Sequence, residues 1–291
     1  MSRALVLGGG GPVGVGWESG LLVGLSEAGV ELGKADLVIG TSAGSIVGAE
    51  AALGWDLEAS LALLDTPWPP AAPPEGPGGI ELLLAELTQA ASGAASAEEL
   101  RRNLGRIAHA AAPFGEAAYL ELFEGIAGQT WPARYQCTAV DTETGEPRVW
   151  DAAAEVPLHL AIASSCSVPG IFPPVTIDGR HYMDGGMKTA LNADFAAGHE
   201  AVVAISCFAL ELPPGLSDPL MDMLNAATEA ELQAVRSAGS RLEVVVPGPD
   251  FLDLSGWGLN LMDPSLTRQA FAVGKRQAAA EAERLATVWR G

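Results

Sequence analysis

A chain of 291 residues with 48% hydrophobic side chains can bury a sizeable core, which excludes intrinsic disorder as its governing state. Its 16 Lys+Arg stand against 36 Asp+Glu, a formal net charge of −20, and a surface of that sign repels nucleic-acid phosphates and anionic headgroups. No run reaches the roughly eighteen uncharged apolar residues of a membrane span, and Cys137, Cys166 and Cys207 lack metal-ligand spacing and read as buried, reduced thiols.

The residues from Met1 to Leu7 lack a full-length apolar signal core and a cleavage site, so a cytoplasmic location is expected. Leu5-Val6-Leu7 reads as a first strand that ends in Gly8 to Gly11, and helical periodicity follows over residues 17–28. Leu37-Val38-Ile39 reads as a second strand, followed by Gly40-Thr41-Ser42-Ala43-Gly44 and a helix through Leu53. Strand, glycine turn and helix, repeated, predict a parallel sheet covered by helices.

Pro and Gly crowd residues 65–79, and three helical stretches come next: 80–91, one opened by a Ser96/Glu99 capping box, and 116–126. Residues 65–130 read as a helical insertion over the sheet, a lid, within a single α/β domain spanning 1–291. Strands resume over 135–140 and 148–150, a short hairpin turns at Asp178-Gly179, and further strands are expected over 202–207 and 242–246. Helices are expected over 219–238 and from Pro264 onward. The apolar segment from Phe251 to Met262 contains Gly256 and Gly258, so it reads as a loop, packed in the core or serving as a mobile wall with Trp257 beside an acyl chain.

Ser42 stands in the only Gly-x-Ser-x-Gly of the chain, between strand and helix. A nucleophile elbow needs that context: the sharp turn strains the serine backbone, and Gly40 and Gly44 let neighbouring chain pass without a Cβ clash. Upstream, Gly9-x-Gly11-x-x-Gly14 has the spacing of a dinucleotide-binding loop. That alternative, a Rossmann-like nucleotide-binding protein, wants an acid at the end of the second strand, where Gly40-Thr41-Ser42 stands instead. The same glycines suit an oxyanion hole, with Gly10, Gly11 and Ala43 offering backbone N–H groups, since Pro12 has none. His109, His159, His181 and His199 all lie in poor contexts for a serine's base. Asp184, at a strand end before Gly185 and Gly186, is better placed, because desolvation raises a carboxyl's pKa into the range of a general base.

The glycine-rich loop, Gly40-Thr41-Ser42-Ala43-Gly44, and Val168-Pro169-Gly170-Ile171-Phe172-Pro173-Pro174 leading to Asp184-Gly185-Gly186 resemble, in order, the patatin-like phospholipase family. The resemblance implies a patatin-like three-layer α/β sandwich with a mostly parallel central sheet. It implies a Ser42–Asp184 dyad without histidine, an oxyanion loop over Gly9 to Gly14, no metal and no cofactor. The implied substrates are lipid acyl esters, of phospholipase A or lysophospholipase type, met in transient contact with a membrane or micelle. Ser165 and Ser167 are expected to position or cap. Val13 stands where the family commonly has a basic residue, which withholds a charge from a phospholipid headgroup. A catalytically weak lipid-binding relative is the other alternative, and activity on a short-chain nitrophenyl ester separates it from an enzyme.

Overall fold

The computed structural model describes residues 1–62, 88–90, 94–110, 114–211 and 219–290. Its strands are β1 (Arg3–Leu7), β2 (Leu37–Gly40), β3 (Tyr135–Asp141), β4 (Pro147–Trp150), β5 (Val175–Ile177), β6 (Arg180–Asp184), β7 (Ala201–Ile205) and β8 (Arg241–Val245). Parallel pairing links β3, β2, β1, β7 and β8 in that order, while β4, β6 and β5 add antiparallel pairs at the β3 end. The helices are α1 (Gly11–Glu27), α2 (Ala43–Leu53), α3 (Leu57–Ser60), α4 (Ala97–Ala110), α5 (Glu116–Leu120), α6 (Leu158–Ser165), α7 (Pro219–Ser237), α8 (Pro249–Ser255) and α9 (Thr267–Arg290).

Strand alternation divides the core in two. Leu5 and Leu7 of β1 join Val203 and Ile205 of β7 in the larger cluster, with Trp17, Val47 and Phe251. Their neighbours Ala4, Val6, Val202 and Ala204 face the other way, onto Leu232 and Val235 of α7. Helices therefore cover both faces, as parallel strands require, and the architecture is the expected three-layer α/β sandwich.

Three expectations change. The first helix begins at Gly11, six residues before the periodicity suggested, with Pro12 in its first turn. Its glycines are a contact stripe rather than breakers: a Cβ at Gly16 or Gly20 would collide with the Thr267 or Phe271 carbonyl of α9. The segment from Phe251 to Met262 is not all loop. Phe251 lies in α8 and stacks on Trp17 with ring centroids 4.7 Å apart, and Gly256, at φ 56°, caps that helix in the left-handed region. Trp257 is 39% exposed, so it does not pack in the core. Residues 116–126 form α5 followed by a 3-10 turn over Glu121–Ile126. Half of the capping box is present, with Glu99 N–H on Ser96 Oγ at 3.1 Å, while the Glu99 carboxylate accepts from Ala95 N–H at 2.8 Å rather than from Ser96 N–H. Residues 65–79, and 80–91 apart from 88–90, lie outside the described residues.

One feature of the sheet places the chemistry. Cys137 of β3 pairs with both β2 and β4, and Val140 pairs with both β4 and β6. A strand has two edges, so β2 and β6 must share the edge opposite β4. They run toward each other along it: β2 ends at Gly40 opposite Cys137, and β6 ends at Asp184 opposite Ala139. The chain leaves both strands at that gap, with Ser42 on one side and Asp184 on the other.

Candidate active site

Ser42 has φ 53° and ψ −117°, a conformation that costs a non-glycine residue of order 1–3 kcal/mol and persists only where its surroundings enforce it. The enforcement is visible. Thr41 N–H donates to Leu7 C=O at 3.0 Å and Gly44 N–H to Gly8 C=O at 2.9 Å, which stitch the elbow to the end of β1. Ser42 N–H donates to Ser165 Oγ at 3.0 Å, and Ser42 C=O accepts from Ser45 Oγ at 2.6 Å and Cys166 Sγ at 3.3 Å. A Cβ on Gly44 would strike the Leu7 carbonyl, and one on Gly40 the Gly44 carbonyl, so both positions exclude a side chain. Ser42 then opens α2 at its N-terminus.

Asp184 is only 2% exposed. Its backbone N–H donates to Ser167 C=O at 2.9 Å, and its Oδ1 accepts from Gly186 N–H at 2.7 Å. Oδ2 is buried without a closed hydrogen bond. Burial pushes the carboxyl up to about 7, against the Ser42 hydroxyl and the Gly186 N–H, which both favour the charged form. Serine and aspartate are thus neighbours whose hydrogen bond is not fully closed, a usual state of catalytic pairs without substrate.

The glycine loop lies against this pair. A Cβ on Gly9 would stand 3.4 Å from Ser42 Cβ, and one on Gly14 would stand 3.4 Å from Ala43 Cβ. Gly8 N–H is held by Ile205 C=O and Glu18 Oε1, each at 3.0 Å, and Gly9 N–H by Ala190 C=O at 2.8 Å. The N–H groups of Gly10, Gly11 and Ala43 have no acceptor among the described residues. Strand-end serine, buried aspartate and unpartnered loop amides form a unit suited to acyl transfer.

A family model for patatin-like phospholipase matches residues 5–197, which contain all of these groups. The chain belongs to the patatin-like phospholipase family. No curated protein matches it. Among solved structures it is similar to VipD from Legionella pneumophila, with 13% identity over 94% of this chain and 66% of that one, at a TM-score of 0.41. It is also similar to the type III effector protein ExoU, with 16% identity over 95% of this chain and 53% of that one, at a TM-score of 0.37. The chain therefore spans under two thirds of the length of either structure.

The glycine loop lies against the Ser42 turn, the Asp184 backbone is held by Ser167, and other residues join them. Asn192, buried and left-handed at φ 56°, directs Nδ2 at Thr41 Oγ1 (3.1 Å), Thr138 Oγ1 (3.3 Å), Gly185 C=O (3.1 Å) and Thr189 C=O (2.8 Å). It thereby ties the residue before Ser42 to the residue after Asp184. Nothing local in the sequence marks Asn192, because its partners lie up to 151 residues away. Of the positioning serines, Ser165 holds Ser42 and Ser167 caps Pro173 C=O at 2.6 Å. Val13 is fully buried, with its N–H on Leu261 C=O at 3.2 Å, so a basic residue there would have to emerge from the core. Neither Ser42 nor Asp184 hydrogen-bonds a histidine among the described residues; His109 instead contacts Thr142 Oγ1 at 3.0 Å and the edge of the His181 ring. The described residues contain no cluster of metal-ligating side chains and no helix long and apolar enough to cross a membrane.

Proposed function

We propose that the chain hydrolyses lipid acyl esters, of phospholipase A or lysophospholipase type, through a Ser42–Asp184 dyad. The observation that carries this reading is the convergence of Ser42 and Asp184 at the gap between β2 and β6, with the aspartate held near 7. Near that value the carboxylate is populated at neutral pH and basic enough to take a proton. Asp184 removes the Ser42 hydroxyl proton as the oxygen attacks the acyl carbon. The tetrahedral oxyanion is met by the N–H groups of Gly10, Gly11 and Ala43, at a helix N-terminus that favours negative charge. As the intermediate collapses, the proton passes from Asp184 to the departing alcohol, leaving an acyl group on Ser42. Asp184 then takes a proton from water, whose oxygen attacks the acyl-enzyme, and as that intermediate collapses the proton returns from Asp184 to the departing Ser42 oxygen, which frees the acid and restores both residues. Every step uses groups of this chain and water.

We read residues 1–291 as one patatin-like domain with a helical insertion at about 65–130, acting in the cytoplasm. A net charge of −20 opposes standing attachment to anionic membranes, so lipid is met transiently through apolar surface. The test compares wild type and Ser42→Ala on a short-chain nitrophenyl ester and a lipid panel, with products identified by mass. Wild type should release free acid, and the folded variant should release none. A folded Ser42→Ala protein that keeps a tenth of wild-type turnover would sink the reading.

A further inference from the structure

A second pocket lies one helical turn behind the site described above. Val15 follows Gly11 by four residues on α1, and Ile46 follows Ser42 by four on α2, and both line a cavity of about 260 Å³. Phe123 and Ile162 close its other sides. The volume falls just below the usual 300–1,000 Å³ of drug-sized ligand sites, so the cavity suits one small group or a short chain.

Glu50 of α2 lines this cavity and is 5% exposed. Its carboxyl has no hydrogen bond or ion pair among the described residues, and burial alone pushes it up to about 8. An unpartnered buried carboxyl costs folding free energy, and a strongly perturbed acid inside a cleft marks a candidate functional site. The remaining polar lining comes from Ser60, Glu121, Glu124 and backbone; Glu121 and Glu124 stand exposed at the rim. Among the described residues no Lys, Arg or His lines the cavity. Trp55 and Phe123 contribute aromatic surface, which attracts cations through the negative ring face.

We propose that this pocket binds an organic cation with an apolar body, its cationic head paired with Glu50. The apolar walls accept the body, and the ligand supplies the counter-charge that the site lacks. Glu121 and Glu124 draw cations to the mouth and repel carboxylates and phosphates. Ser42 does not line the cavity, so the proposal stands apart from the ester hydrolysis inferred above.

The test is calorimetric titration of the full chain with octyltrimethylammonium, octanol and octanoate, three probes of matched chain length and none an ester. The cation should bind at least about tenfold tighter than octanol, and octanoate should bind least. At pH 7 Glu50 is mostly protonated, so binding the quaternary cation, which has no proton of its own, should release close to one proton. Parallel titrations in two buffers of different ionisation enthalpy measure that release. Glu50→Gln, nearly isosteric, should lose about tenfold in cation affinity and all proton release while binding octanol as before. The proposal is overturned if octanol or octanoate binds as tightly as the cation, or if no probe binds. Cation binding without proton release, or unchanged in Glu50→Gln, overturns it equally. Esterase activity is read separately, so failure here leaves the hydrolase reading untouched.

Discussion

Glu18 and Asp184 are both buried carboxyls beside a glycine turn, and each accepts one backbone N–H: Gly8 on Glu18 Oε1 at 3.0 Å, Gly186 on Asp184 Oδ1 at 2.7 Å. In each, the second oxygen is buried without a closed hydrogen bond. Their surroundings differ. Glu18 sits inside α1, wholly enclosed, next to Cys207, whose own thiol burial pushes up out of reach. Burial lifts Glu18 well above the carboxylate range, so it stays a neutral prop under the glycine loop. Asp184 sits at a strand end beside Ser42, which is 8% exposed, and its pKa stops at about 7. The same backbone hydrogen bond thus serves one acid enclosed beside a thiol and one beside the Ser42 hydroxyl, which favours its charged form and leaves it poised to exchange protons.

Removing the charge should separate the two most sharply. Asp184→Asn should lose about 10²- to 10⁴-fold in turnover, the range of a general base, and Ser42 should lose its reactivity toward a fluorophosphonate probe. A larger effect from substituting His181 would point to a triad and end the dyad assignment. The pH dependence sharpens the contrast without mutation. Because the base must be deprotonated, kcat/KM should be flat above about 7 and fall tenfold per pH unit below it, roughly a hundredfold loss by pH 5. A profile flat across that interval would assign the proton transfer elsewhere.

Asn192→Ala tests whether the elbow and the aspartate turn must be held in register. With Thr41 and Gly185 no longer joined through Nδ2, turnover should fall about tenfold to a hundredfold, the scale of a small misplacement of reacting groups. KM should stay close to wild type, and labelling of Ser42 should slow with kcat. A folded variant with unchanged kcat would reduce Asn192 to a structural role.

How much of this was legible in sequence depends on how local each cause is. Ser42 was legible because strand, glycine, serine, glycine and helix are adjacent, and the strained angles follow from that run alone. Asp184 was legible as a strand-end acid before two glycines, though its nearness to Ser42 needs β2 and β6 to meet on one edge of β3. The start of α1 was hidden because Gly11, Gly14 and Gly16 lower helix propensity. The approach of α9 explains Gly16 and Gly20, and Gly274 returns the contact, where a Cβ would strike the Trp17 carbonyl; Gly14 instead faces Cys207 and Ala43. Likewise Gly256 and Gly258 read as breakers, yet Gly256 is the cap that lets α8 end, and Phe251 earns its helix by stacking on Trp17. Asn192 and Glu18 carry no local signature, since both are defined by partners on other elements.

The smallest expected effect completes the comparison. Glu18→Gln keeps a carbonyl oxygen for Gly8 N–H and replaces an unpartnered O–H with an unpartnered N–H. Turnover on a short-chain ester should therefore stay within about twofold of wild type, roughly 0.4 kcal/mol in barrier. Stability should change with a definite sign. A carboxyl whose folded pKa is raised favours the folded state fully below its unfolded value of about 4.5, and that contribution is lost as pH rises toward the folded pKa. Glutamine does not titrate, so Tm values of the two proteins should lie closest near pH 4, with Glu18→Gln increasingly the more stable toward pH 8. Thermal melts across that interval measure the divergence. Glu18→Leu removes the acceptor instead and should be about 0.5–1.5 kcal/mol less stable than Glu18→Gln at every pH, because Gly8 N–H then leans on Ile205 alone and neither side chain titrates. A Glu18→Gln enzyme as impaired as Asp184→Asn would mean that Glu18 also moves protons, and the contrast between the two acids would fail.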